Sequence, residues 1–102
     1  MIEDGQTFSM RPGTSVSLAD HSSLRYLRVG NDSRCPPGVQ CIWAGDAEVG
    51  FEWTPANGAA TAFTLHTGKD PRSRDLDGRR LTLVSLERGP APTAQLRIDA
   101  TP

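Results

Sequence analysis

About seven short stretches of this chain alternate apolar and polar residues with a period of two, which favours a β fold. The clearest is "AEVGFEW" (47–53), where Val49, Phe51 and Trp53 share one face and Glu48, Gly50 and Glu52 the other. "TAFTLHT" repeats the pattern with Phe63 and Leu65, and Asn57-Gly58 in the intervening "TPANGAA" is a favoured hairpin turn. The two strands are therefore expected to pair antiparallel, with His66 on the phase that faces solvent. "TFSMR" (Phe8, Met10) and "SVSLA" (Val16, Leu18) flank a "PGT" turn and read as an N-terminal hairpin. "AQLRIDA" closes the chain with Leu96 and Ile98 on one face.

Two strands break phase. "LRYLRV" carries Leu24 and Tyr26 on one face, then Leu27 and Val29 on the other. "RLTLVSLE" slips between Leu83 and Val84. Such slips mark a β-bulge or a strand covered on both faces. No stretch repeats apolar residues at helical spacing. The expected architecture is all-β, about seven strands in a mainly antiparallel sandwich or open barrel, forming one domain over residues 1–102. Its core is expected to unite Val49, Phe51, Trp53, Phe63, Leu65, Leu81, Leu83, Leu96 and Ile98.

Charge narrows the function classes. Eleven basic and twelve acidic residues are interspersed and leave a net charge of −1, without the basic face that nucleic acid calls for. The densest run, "KDPRSRDLDGRR", nearly balances its signs and reads as a solvated loop, the alternative being an arginine cluster that grips a phosphate or carboxylate. No run has the length of a membrane span. Met1 leads straight into polar "IEDGQ", which fits either a cytosolic chain or one from which a leader has been removed; two closely spaced cysteines favour the second, with residues 1–5 expected to be a flexible N-terminus.

"DSRCPPGVQCIWAGDA" (32–47) holds both cysteines. A structural zinc site needs four ligands, and His21 and His66 lie on separate elements. A redox pair favours Cys-x-x-Cys ahead of a helix, whereas five residues rich in proline and glycine intervene here. A cysteine nucleophile needs a positioned base. A local Cys35–Cys41 disulfide suits the spacing, and would restrict the unfolded chain by roughly 2–2.5 kcal/mol. Asp32 and Arg34, two apart, share a face in an extended segment and can pair with each other or with loop amides. Trp43 either covers the disulfide or stands as an anchor for a partner. Gly45 marks a bulge or a close backbone approach.

The stretch resembles the motif D-S-R-C-P-x-x-V-x-C-x-W-x-G of an uncharacterised family of bacterial exported proteins and lipoproteins. Asp32, Ser33, Arg34, Cys35, Pro36, Val39, Cys41, Trp43 and Gly45 match it. Ala91 and Gln95 stand where that family often carries aromatic residues. The resemblance implies the periplasm, cell envelope or secretion, with a lipid anchor on some precursors, and implies no activity.

The expected function is a non-enzymatic, monomeric envelope domain that binds a protein or ligand through the disulfide loop, with Arg34, Trp43 and Asp32 as candidate contacts. An inhibitor-like loop is a variant of this reading. The rival is a small hydrolase-like enzyme, for which the chain lacks G-x-S-x-G and offers Asp46, Glu48 and Glu52 as carboxylates. Metal handling by His21, His66 and Met10 has no spacing in its favour, and no cofactor is expected.

Overall fold

The computed structural model describes residues 2–35, 38, 40–42, 45–76, 78–89 and 91–100. It is all-β, with no helix among these residues. In chain order the strands are β1 (Thr7–Met10), β2 (Ser15–Ser17), β3 (Ser23–Gly30), β4 (Glu48–Thr54), β5 (Thr61–His66), β6 (Ser73–Asp75), β7 (Arg79–Leu86) and β8 (Ala94–Ala100). They form two four-stranded antiparallel sheets, ordered β1-β8-β7-β6 and β2-β3-β4-β5.

The alternation explains how the layers join. Phe8, Met10, Leu81, Leu83, Leu96 and Ile98 project from one sheet, Leu24, Tyr26, Val49, Phe51, Phe63 and Leu65 from the other, and all are buried in one cluster. Tyr26, Phe51 and Phe63 form an aromatic row with centroid spacings of 5.5 and 5.7 Å. Of the expected core only Trp53 is half-buried; it packs against the cluster, and its enclosed indole Nε1 finds no acceptor among the described residues. The 47–54 strand pairs with β5 as expected, Val49 opposite Leu65 and Phe51 opposite Phe63.

Both phase slips are β-bulges. Register shifts between Tyr26 and Arg28 in β3, and between Leu83 and Ser85 in β7. The extra residues, Leu27 and Val84, turn outward and are exposed.

The expected N-terminal hairpin does not form. β1 pairs with β8 and β2 with β3, so the "PGT" turn carries the chain from one sheet to the other. Thr14 N–H and Oγ1 both donate to Arg11 O, at 3.1 and 2.6 Å, while Gly13 N–H donates to Tyr26 O. The chain leaving the turn is thus captured by β3. Alternation places Phe8, Met10, Val16 and Leu18 towards one core, but serves equally for neighbours in a sheet and for strands facing across it.

One further expectation is corrected. The charged run is not a loop throughout: β6 forms inside it, Leu76 is buried, and the Arg74 guanidinium lies 5.1 Å from the Phe63 ring centroid. Its arginines are partly committed, Arg79 to Asp4 and Asp20, Arg80 to Asp75. Towards the N-terminal end, Ile2 N–H donates to Ser17 O and Gly5 N–H to Ile98 O. Among the described residues no helix is long and apolar enough to cross a membrane.

Candidate functional site

The connection from β3 to β4 carries the cysteine motif, and its two ends are stitched side by side. Ser33 N–H donates to Asp46 O at 2.7 Å, and Ser33 Oγ donates to the same carbonyl at 2.9 Å while accepting Asp46 N–H at 3.1 Å. Gly45 makes that approach feasible. Its φ is +76°, and a Cβ there would lie 2.0 Å from Ser33 O. The glycine therefore answers to a close backbone approach, as its sequence context suggests.

A third segment joins this base. Asp46 Oδ1 accepts Gly68 N–H at 2.8 Å, and Oδ2 lies 2.6 Å from His66 Nδ1. Ala47 N–H donates to Thr67 Oγ1, and Thr67 N–H to Ala47 O. His66, expected to face solvent, has a side chain only 12% exposed because Asp46 covers it from another strand connection. Burial pushes the Asp46 carboxyl up, but the Gly68 N–H and His66 bonds outweigh it and hold the carboxyl below its ordinary range.

Asp32 and Arg34 pair as a fork: Arg34 Nε donates to Oδ1 at 2.9 Å and Nη2 to Oδ2 at 2.7 Å. Arg34 also reaches across to the end of β7 and the connection that follows it, where Nη1 donates to Leu86 O at 2.6 Å and Nη2 to Glu87 O at 2.9 Å. Its side chain is 11% exposed. The Arg34 hydrogen bond holds the Asp32 carboxyl below its usual range, and Asp32 raises the guanidinium in return. Tyr26 grips the same connection further along, its hydroxyl donating to Pro92 O at 2.9 Å. Burial pushes the Tyr26 phenol up to about 12, against an opposing pull from the Arg34 charge.

The frame supports a disulfide loop. Cys35 and Cys41 are bonded, with Cα atoms 6.0 Å apart. Gly38, Gln40 and Cys41 are exposed, and Ile42 is 93% exposed. Trp43, like Pro36, Pro37 and Val39, lies outside the described residues. Beside the frame is a cleft of about 300 Å³ lined by Pro12, Arg28, Val29, Asp32, Gly89 and Pro92.

Other candidate residues are not gathered here. His21 sits in the β2–β3 turn and Met10 is buried in the core, so neither joins His66, which pairs with Glu48 at the frame end of the β4–β5 ladder. Among the described residues no group of three metal-ligating side chains forms. Glu48 accepts a bond from Asn31, and the His66 ring meets Asp46. Sequence reasoning missed Ile42 as a surface residue and His66 as part of the frame. The first was legible as a lone isoleucine beside a turn-rich ring; the second had no local signal.

No protein-family model, curated protein or solved structure matches this chain.

Proposed function

We propose that this is a non-enzymatic domain of the cell envelope or of a secreted protein, which docks a partner through the Cys35–Cys41 loop. One observation carries the reading: a base locked by Ser33, Asp46, Gly45 and the Asp32–Arg34 fork supports a loop on which Ile42 is 93% exposed. An apolar side chain held out beside a disulfide ring suits docking, because the cross-link already restricts the chain that presents it. Asp32 and Arg34 then act as the frame, and Ile42 with its neighbour Trp43 as the contact. The disulfide accords with an oxidising compartment, as does the resemblance of the motif to exported bacterial proteins.

The inhibitor-like variant rests on the same loop. The hydrolase alternative would rest on the His66–Asp46 pair, but Asp46 is already engaged by Gly68, and no described hydroxyl bonds to the His66 ring.

Photo-cross-linking from position 42 in cells tests the reading against position 56, in the β4–β5 turn at the opposite end. Position 42 should yield one dominant adduct, and Ile42→Asp should weaken binding to the captured partner by about tenfold or more with an unchanged melting temperature. Equal adducts from both positions, or undiminished binding by Ile42→Asp, would overturn it.

A further inference from the structure

Gly50 lies in the middle of β4, on the outer face of the β2–β5 sheet, and its surroundings do not require a glycine. It is not among the glycines with positive φ. An added Cβ would meet Arg28 O at 3.5 Å and Leu27 Cβ at 3.9 Å, which is ordinary contact. A glycine inside a central strand weakens that strand, and it often marks where another backbone or a ligand comes close. Around Gly50 the face forms a shallow hollow of about 270 Å³, with Ala62 and Thr64 on β5 and the bulged Leu27 on β3.

The charges around this hollow are arranged in rows. Arg25 and Arg28 stand on β3, Glu48 and Glu52 on β4. Among the described residues, Arg25, Arg28 and Glu52 make no ion pair. Arg25 is the direct register partner of Glu52, and Arg28 that of Gly50.

We infer that two copies of this chain pack outer sheet to outer sheet, about a two-fold axis parallel to the strands and midway between β3 and β4. That axis sets each arginine row over the other copy's glutamate row, as a self-complementary interface requires. Arg25 and Glu52 share a height along the axis, so each meets its opposite in the second copy. One step along, Leu27 and Arg28 pass over the second copy's Gly50, where no side chain obstructs them. Four strands of about six residues cover roughly 400 Å² per copy, about half of a standard interface. The dimer is accordingly weak, concentration-dependent and sensitive to salt. Because the axis follows the strands, both disulfide loops emerge at the same end.

Sedimentation equilibrium from micromolar to millimolar protein, at low and high salt, tests this. A monomer–dimer equilibrium that weakens with salt is expected. Arg25→Glu and Glu52→Arg should each raise the dissociation constant about tenfold or more, and the double swap should restore it. Gly50→Thr should raise the melting temperature by a few degrees while weakening the dimer, a combination that a purely structural glycine would not produce. The double swap keeps opposite charges paired across β3 and β4, so it remains informative if a single reversal fails to fold. A chain that stays monomeric at millimolar concentration, a dimer indifferent to the charge reversals, or one that survives Gly50→Thr would overturn the inference.

Discussion

Gly45 passes so near Ser33 that a Cβ would sit 2.0 Å from the Ser33 carbonyl oxygen, and the same crossing lets Ser33 bond both the N–H and the C=O of Asp46. Gly45→Ala must open this crossing and hold an L residue at φ +76°. It should cost about 2–4 kcal/mol in urea unfolding. A loss below about 1 kcal/mol would mean that the crossing relaxes freely.

Arg34 is a bracket between two connections far apart in sequence. Arg34→Ala removes the guanidinium from the Leu86 and Glu87 carbonyls and leaves Asp32 only the backbone N–H of residue 34, and should cost about 2 kcal/mol with Asp32 partly open to solvent. Arg34→Lys should recover little, since one ammonium cannot reproduce the fork. A residue that served only as a surface contact would leave the melting temperature unchanged in both variants.

Acid should weaken the frame. Asp32 and Asp46 have carboxyl pKa values below the ordinary range in the folded chain, so their contribution is complete above about pH 4 and is lost as pH falls through the folded values. Melting temperatures of wild type and Asp46→Asn should differ at neutral pH and converge in acid. Parallel curves would show that Asp46 gives no acid sensitivity.

The phenol of Tyr26 acts at the other extreme. Its folded pKa, about 12, lies above the ordinary value, so its contribution is complete below about pH 10 and disappears as pH rises through the folded value. Tyr26→Phe should lose about 1 kcal/mol at neutral pH with the Pro92 bond, and should flatten the alkaline limb of the stability curve. An unchanged alkaline limb would assign that limb to other groups.

Reduction of Cys35–Cys41 should lower stability by about 2 kcal/mol, the loop-entropy value for so short a ring. Intact-mass measurement after alkylation, with and without reductant, checks the bond itself. Two alkylated thiols in oxidised, unreduced protein would refute it.

Much of the sandwich is legible along the chain because each strand states its inward face locally. Leu27 and Val84 even reveal the bulges, since an extra residue inverts the alternation that follows it. Pairing is a different matter. Phe8 and Met10 show that β1 faces a core, and nothing in those residues selects β8 over β2. β6 is three residues, "SRD", without an apolar side chain, so its place rests on pairing with β7 and on the Arg74–Phe63 contact, neither of which shows in its own alternation. At the candidate site, Asp32–Arg34 is readable from adjacency, whereas the Leu86 and Glu87 carbonyls that fix Arg34 lie more than fifty positions away.

The Ser33–Asp46 stitch also bears on how freely the loop can vary. With both strands of its base pinned by their own hydrogen bonds, the interior need only span a fixed gap, and closure entropy grows slowly with length. Residues can be inserted or exchanged between Arg34 and Gly45, which themselves stay fixed, while the sandwich beneath keeps its register. The segment is thus a replaceable cassette, open to diversification in a library of displayed loops as much as in natural drift.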